Sequence, residues 1–191
     1  MSRFTVRPAT AEDSGTVAAL HLRSWRAGYT GIMSPATIAG LDLADWTRRT
    51  RQWYVEVPPG VQHLVAVDTT TATLAGITSI GAYRIDERSD VLDEAAGEVY
   101  GLYVDPPSWG RGAGRALMRA ALSALWTAER WPVRIWVLRD NGRARRCYER
   151  WGFAVDGTTA AVAIAGTGKL LKVRYTRTDS PEAVDPGKRQ E

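Results

Sequence analysis

The sequence predicts a single α/β domain built around one mixed sheet, and three observations support this fold class. The chain has 191 residues, the length of one ordinary domain. Apolar residues make up 45% of it and charged residues 24%, as in an average globular domain. Strand-like and helix-like patterns alternate along the chain without an internal repeat, so we expect one sheet with helices packed on it.

The first half of the chain carries the patterns of three strands and two helices. Alternation of apolar and polar residues marks the strands, and apolar residues three and four apart mark the helices. The predicted strands are 4–7, 63–67 and 74–85, and the predicted helices are 11–25 and 35–55. The second and third strands flank a short polar turn and therefore predict a hairpin.

A polar loop at 86–96 leads into the second half, which carries four more strands and two more helices. The strands are 98–104, 133–138, 153–155 and 170–176, and the helices are 110–130 and 141–152. Leu117, Ala121 and Leu125 recur every four residues and predict the core-facing stripe of the first of these helices. We expect a folded domain over residues 1–176 and a polar, disordered tail over 177–191.

Composition excludes several classes of function. A single cysteine, Cys147, cannot form an internal disulfide and fits a reducing cytoplasm. The two histidines, His21 and His63, lie far apart without a thiolate cluster, so we expect no metal site. No run approaches the ~20 apolar residues of a membrane span, and the first residues lack the apolar core of a signal peptide. A formal charge of +4 without a broad basic stripe predicts no nucleic-acid partner.

The segment between the fourth predicted strand and the helix after it has the composition of a phosphate-binding loop. Gly110, Gly112 and Gly114 remove side chains where a ligand has to approach the backbone. The first N–H groups of the helix have no partners within it and point outward at the positive end of its dipole. Arg111 and Arg115 add charged donors, so the segment is suited to a pyrophosphate.

The spacing separates this loop from other phosphate-binding loops. A dinucleotide-binding turn has the pattern Gly-x-Gly-x-x-Gly and a Walker loop ends in Gly-Lys-Ser/Thr, and neither fits the alternate glycines at 110–114. The pair Gly168-Lys169 lacks the other Walker residues and fits a turn between the last two strands. A glycine-rich turn that binds no ligand is the remaining alternative.

Two motifs resemble the GNAT superfamily of N-acetyltransferases. The first is the strand end Val104-Asp105-Pro106 followed by Trp109-Gly110-Arg111-Gly112-Ala113-Gly114, where the family has Val-x-Pro and Gln/Arg-x-x-Gly-x-Gly/Ala. Trp109 stands where Gln or Arg is usual. In the second motif Cys147 replaces the usual Phe, and the residues in the family's register are Asn141, Ala144, Tyr148, Gly152 and Phe153. Together with the opening Arg7-Pro8-Ala9-Thr10, the resemblance covers residues 3 to about 176.

This resemblance implies a mostly antiparallel sheet of about seven strands flanked by about four helices. Strands 98–104 and 133–138 would splay apart, with acetyl-CoA as cosubstrate in the gap and no metal. Backbone groups of Leu102, Tyr103 and Val104 would pair with the pantetheine arm, beside a bulge marked by Gly101. The other implied cofactor-binding residues are Trp109, Gly110, Arg111, Gly112, Ala113, Gly114, Arg115, Asn141, Ala144 and Tyr148.

Acetyl transfer to an amine needs a base for the amine and an acid for the leaving thiolate, because almost all of a lysine-like amine is protonated at neutral pH. Glu98, beside the expected thioester, is the candidate base, and a surface carboxylate is its alternative interpretation. The resemblance makes Tyr148 the candidate acid, with a packed helix aromatic as the alternative. Tyr100 follows Glu98 by two residues and is expected to line the same pocket. Cys147 fits a small apolar helix residue better than an acyl carrier.

By analogy with the family, Trp25, Tyr29 and the loop to Pro35 form the acceptor pocket, although the spacing of the two aromatics equally fits a core contact. The resemblance thus implies a cytoplasmic N-acetyltransferase that moves acetyl from acetyl-CoA to a primary amine by direct attack in a ternary complex. Its acceptor would be a small-molecule or peptide amine, with no nucleic acid or membrane as partner, and the family allows a homodimer. The alternatives are a non-catalytic acyl-CoA-binding sensor and a nucleotide-binding regulatory domain.

Overall fold

The computed structural model describes residues 3–85 and 91–181, and within them the chain forms seven strands and five helices. The strands are β1 Phe4–Pro8, β2 Gln62–Asp68, β3 Thr73–Arg84, β4 Leu92–Val104, β5 Val133–Leu138, β6 Ala154–Ile164 and β7 Gly168–Arg177. The helices are α1 Ser14–Tyr29, α2 Pro35–Ala39, α3 Leu43–Val55, α4 Ala113–Thr127 and α5 Gly142–Glu149.

The strands form one sheet in the order β1-β2-β3-β4-β5-β7-β6. Every neighbouring pair is antiparallel except β4 and β5, which run parallel. The predicted α/β class and the mixed, mostly antiparallel sheet are therefore confirmed. The predicted hairpin is confirmed as well, since β2 pairs with β3 and Val65 lies opposite Ile77.

One helix more than predicted is present because the expected helix 35–55 is interrupted. Gly40 ends α2, and the Asp42 carboxylate begins α3 by accepting a hydrogen bond from the N–H of Asp45 at 2.7 Å. Such a cap satisfies one of the N–H groups that have no partner in the first turn of a helix. The first helix is longer than predicted, since α1 extends to Tyr29.

Apolar layers cover both faces of the sheet. Leu117, Ala121 and Leu125 of α4 form the predicted stripe and are buried in the layer over one face. Val17 and Leu20 of α1 are buried in the layer over the other face. The strand β4 contacts both α1 and α4, so packing from both sides fixes its position in the sheet.

Two strands extend beyond their predicted bounds. β4 begins at Leu92 instead of 98, because Leu92 pairs with Arg84 and lengthens the β3–β4 ladder into a segment whose polar residues predicted a loop. Residues 86–90, at the centre of that predicted loop, lie outside the described residues. β6 continues to Ile164 as an edge strand against β7 instead of ending at 155.

The last strand ends one residue beyond the predicted end of the domain. Arg177 closes β7 and is fully buried, and its guanidinium donates to the carbonyls of Asp179 and Ser180 at 3.2 and 2.6 Å. These contacts attach the first residues of the predicted tail to the domain, whereas residues 182–191 lie outside the described residues. No helix within the two described ranges is long and apolar enough to cross a membrane.

Candidate active site

The sheet opens between β4 and β5. Two residue pairs join these strands, Gly97 with Val133 and Glu98 with Arg134, and no further pairing between them follows in the described part of the sheet. β5 instead continues to Leu138 against β7. A cavity of about 860 Å³ lies at this opening and is lined by the ends of both strands. The structure thus contains the splayed strands that the resemblance implied.

The strand β4 carries a bulge at Tyr100. Its neighbours Val99 and Gly101 lie opposite Ile80 and Ser79 of β3, so Tyr100 is an extra residue in the ladder. Gly101 therefore adjoins the bulge that it was expected to mark. An extra residue reverses which side of the strand each later residue presents to its neighbours.

After the bulge, alternate residues of β4 direct their backbone groups into the gap. The N–H of Asp105 donates to the carbonyl of Ala75 in β3 at 2.9 Å, so by alternation the backbone groups of Tyr103 also point toward β3. Those of Leu102 and Val104 point toward β5, which has separated from β4. The expectation that the Tyr103 backbone faces the cofactor is corrected, because its groups point to β3, although Tyr103 remains among the residues that line the cavity.

The segment after β4 has the geometry of an anion-binding loop. Gly110 and Gly112 have φ angles of +72° and +103°, a region that residues with a Cβ rarely adopt. Gly112 directly precedes α4, whose first N–H groups have no partners within the helix. Trp109, Gly110, Gly114 and Arg115 line the cavity, whereas Ala113 is buried in the core, and Arg111 and Gly112 are exposed outside the cavity wall.

The helix α5 brings the second motif to the other side of the gap. Asn141 caps this helix, because its Oδ1 accepts the N–H of Ala144 at 3.0 Å. Asn141, Ala144 and Tyr148 all line the same cavity as the glycine loop. The structure therefore brings the two sequence motifs together around one site.

Tyr148 is buried in the cavity wall, and its hydroxyl makes no hydrogen bond with the described residues. Burial raises the pKa of this phenol, and the neighbouring Cys147 and Tyr103 raise it further. A neutral phenol can donate a proton to a group in the cavity. Burial also raises the pKa of the Cys147 thiol, against the opposing effect of Arg150 and Arg143, so this thiol is a poor nucleophile.

Glu98 is a buried ion-pair partner, with a side chain only 1% exposed. Its Oε2 accepts the backbone N–H and Nε of Arg84 at 3.0 and 3.2 Å, and its Oε1 accepts Nη2 of Arg84 at 2.6 Å. The Arg84 guanidinium also lies over the ring of Tyr100, whose hydroxyl donates to the carbonyl of Ala82. The interpretation of Glu98 as a surface carboxylate is therefore wrong. The Oε1 atom of Glu98 accepts one hydrogen bond from the described residues and can accept a second one.

Comparison with known proteins agrees with this geometry. The sequence profile of the acetyltransferase (GNAT) family matches residues 23–153. The chain belongs to this family. It is 27% identical over 164 residues to a probable N-acetyltransferase of Mycobacterium tuberculosis, covering 83% of this chain and 84% of that protein. The PaiA N-acetyltransferase of Thermoplasma acidophilum, solved in complex with coenzyme A, matches with a TM-score of 0.65 at 19% identity over 88% of this chain and 97% of its own.

Other curated relatives of this GNAT domain are mycothiol acetyltransferases. That of Beutenbergia cavernae is 48% identical over 63 residues, which is 33% of this chain and 21% of the relative. The chain thus spans about a fifth of that protein's length. The family match confirms the predicted family and its acetyltransferase class, and the structural match confirms the fold.

The side of the cavity formed by α1 of the GNAT domain has an aromatic wall. Trp25 and Tyr29 both line the cavity, and their rings pack edge to face at 4.9 Å, so they contact each other and also form the wall. The Trp25 indole donates to Nε2 of His21 at 3.0 Å, and burial lowers the pKa of His21 to about 3, which keeps the imidazole neutral. Burial, followed by the phenols of Tyr103 and Tyr148, raises the pKa of Tyr29.

The cavity residues that the sequence did not predict include Arg84, Trp136 and Lys172. Arg84 reaches Glu98 through the pairing of β3 with β4, which depends on the bulges in that ladder. Trp136 is the large aromatic residue of β5, the strand beside the gap, and this position was the available signal for it. The Lys172 ammonium lies 5.1 Å from the centroid of the Trp136 ring.

Proposed function

We propose that this domain transfers an acetyl group from acetyl-CoA to a primary amine by direct attack in a ternary complex. The observation that carries the proposal is a single cavity that joins a phosphate-binding loop, at Gly110 and Gly114, to a neutral phenol, Tyr148. Membership of the GNAT family supports the acetyltransferase class. The acceptor is a small-molecule or peptide amine.

The chain's backbone does most of the cosubstrate binding in this proposal. The first N–H groups of α4 bind the diphosphate, where the helix dipole favours an anion. Backbone groups of Leu102 and Val104 pair with the pantetheine amides in place of the strand partner that β4 lacks there. Asn141 and Ala144 border the same space from α5. The gap therefore suits a linear ligand with amide groups.

Tyr148 donates the proton that the departing thiolate requires. Its raised pKa keeps the phenol protonated at neutral pH. The departing thiol of CoA lies in the same buried surroundings, and burial raises the pKa of a thiol, as it does at Cys147. The pKa values of the Tyr148 phenol and of this thiol therefore differ by less than the shift of the phenol alone indicates. Proton transfer between groups of comparable pKa is the condition for effective general acid catalysis.

Glu98 is the proposed base, because it is the single carboxylate among the described residues of the cavity wall. Arg84 occupies part of its acceptor capacity, and the remaining site on Oε1 receives the amine proton through a water. Trp25, Tyr29 and Tyr100 are the proposed walls around the acceptor. Neutral aromatic walls exclude water without adding charge that would hold the amine in its protonated form.

The test is a thiol-release assay with acetyl-CoA and a panel of amines. The panel contains amino acids, polyamines, aminoglycosides, peptide N-termini and amines related to mycothiol, the compound that names several relatives. Tyr148→Phe keeps the ring and removes the proton, so kcat should fall by about 10²–10⁴-fold while the Kd for acetyl-CoA changes little. Cys147→Ala, at the neighbouring position, is the control and should retain the rate. An unchanged kcat in Tyr148→Phe would remove Tyr148 from the chemistry.

The second candidate is a non-catalytic acyl-CoA-binding sensor. The ion pair with Arg84 favours it, because a carboxylate engaged by three donors is a poorer base than a free one. The same assay separates the two functions. Binding of acetyl-CoA without turnover across the whole amine panel would support the sensor.

A further inference from the structure

A cation–π pair crosses the mouth of the gap. The guanidinium carbon of Arg143 lies 3.4 Å from the centroid of the Trp109 ring. Trp109 belongs to the loop after β4, and Arg143 belongs to the first turn of α5, which follows β5. Both residues line the cavity. The pair therefore joins the two sides that the splayed strands leave apart.

A second contact holds Trp109 in place. Its indole Nε1–H donates to the carbonyl oxygen of Val104 at 2.7 Å. An indole has only this one donor, so Trp109 has none left for a phosphate. At the motif position where the family usually has Gln or Arg, this chain therefore offers a flat aromatic surface instead of a polar side chain.

We infer that Arg143 supplies the missing donor and binds the diphosphate of the cosubstrate from α5, with Trp109 holding its guanidinium in plane. The inference rests on the proposed function, because it requires CoA in the gap. Stacking uses the face of a guanidinium and leaves the N–H groups along its edge. Arg143 forms no hydrogen bond or ion pair with the described residues, and Gly110 places the phosphate loop directly beside Trp109.

Two neighbouring arginines lack this arrangement. Arg145 donates to the hydroxyl of Tyr175 and to the carbonyl of Arg139, and it is not part of the cavity wall. Arg139 has a side chain that is 57% exposed and lies 3.6 Å from Asp140. Arg139 thus has the same charge close to α5 without contact with the cavity, and it serves as the matched control.

The experiment titrates the full chain and its Arg143→Met, Arg143→Lys and Arg139→Met variants with three ligands. CoA has the diphosphate and a 3′-phosphate, dephospho-CoA keeps only the diphosphate, and pantetheine has neither. Calorimetry gives Kd for the first two, and NMR shift titration gives it for weakly bound pantetheine. Thermal unfolding of each variant establishes that a loss of affinity is not a loss of folding.

Arg143→Met should weaken CoA and dephospho-CoA equally, by about 10- to 100-fold, because a charge-assisted contact is lost. Pantetheine should bind all four proteins alike, and Arg139→Met should match the wild type. Arg143→Lys should recover only part of the loss, because lysine keeps the charge but lacks the planar face.

Three results would overturn the inference. An equal loss of pantetheine binding would show that the pair only closes the gap, and a loss confined to CoA would place Arg143 on the 3′-phosphate. Equal affinities in Arg143→Met and Arg139→Met would make Arg143 an ordinary surface charge. If the wild type itself failed to bind CoA, the proposed function would fail instead, so the two failures are distinguishable.

Discussion

The buried pair of Arg84 and Glu98 is expected to show strong coupling in a double-mutant cycle. The Glu98 side chain is 1% exposed and that of Arg84 is 32% exposed. Arg84→Met leaves a buried carboxylate without its two guanidinium hydrogen bonds. The free energy of unfolding should fall by about 3 kcal/mol, the low end for a broken buried pair, because the guanidinium is partly solvated. In a domain of this size that loss lowers Tm by roughly 6–12 °C.

Glu98→Gln provides the second side of the cycle. The amide keeps the shape of the carboxylate and can still accept the backbone N–H of Arg84, but it has no charge. In that background Arg84→Met should cost only about 1 kcal/mol, which gives a coupling free energy of about 2 kcal/mol. Contacts of Arg84 with other groups cancel in the cycle.

The assay is urea unfolding of the four proteins at neutral pH, followed by circular dichroism and by the fluorescence of the eight tryptophans. Equal m-values are required before the free energies are compared, because a changed m-value reports a changed denatured or native state. A coupling below about 0.5 kcal/mol would refute the reasoning, since additivity of that quality is typical of residues that do not interact. The pair would then contribute as little to the free energy of unfolding as an exposed ion pair does, despite its burial.

Two further predictions address the loop and the acid stability. In calorimetry, Gly112→Glu should bind CoA at least about tenfold more weakly than Gly112→Ala. Both substitutions strain the backbone at φ +103°, but only Glu brings a negative charge to the proposed phosphate site. Equal affinities would contradict the assignment of the loop. Burial raises the pKa of Asp156, but hydrogen bonds led by that from Thr176 outweigh it and lower this pKa to about 2. A lowered folded-state pKa stabilises the domain above the unfolded value near 3.9, and this contribution is lost as the pH falls through about 2. Asp156→Asn should therefore flatten the decline in unfolding free energy between about pH 4 and pH 2, and an unchanged decline would be the contrary result.

The glycine loop before α4 could be predicted from the sequence because its signal is local. Gly110 and Gly112 occupy positive φ angles, which is the property that makes glycine informative at such positions. Asn141 is a helix cap in the structure and stands at the start of the predicted helix 141–152, where such a residue is typical. The stripe on α4 follows from periodicity alone. In each case the residues that define the feature lie within one turn or one element.

The surroundings of Glu98 could not be predicted, because they depend on pairing between strands. Arg84 is 14 positions away, and its contact requires the bulges that shift the register of β3 against β4. The bulge at Tyr100 also decides which backbone groups face the gap. Because of it, the groups of Leu102 point into the gap and those of Tyr103 point toward β3. Gly101 indicated a bulge in β4, but no pattern along the chain reports which backbone groups the bulge turns into the gap, since a one-residue insertion exchanges the two sides of a strand without changing its composition.

The opening of the sheet explains why the backbone and the side chains have separate roles at this site. A strand that loses its neighbour leaves N–H and C=O groups that need partners. In β4 the Trp109 indole satisfies the carbonyl of Val104, while the other gap-facing groups of Leu102 and Val104 remain turned toward the cavity. A ligand with a linear series of amides can satisfy those groups whatever the side chains are. In the proposed function the acceptor instead meets side chains of α1 and β4 that line the cavity, such as Trp25 and Tyr100, so its identity can change while the gap stays the same.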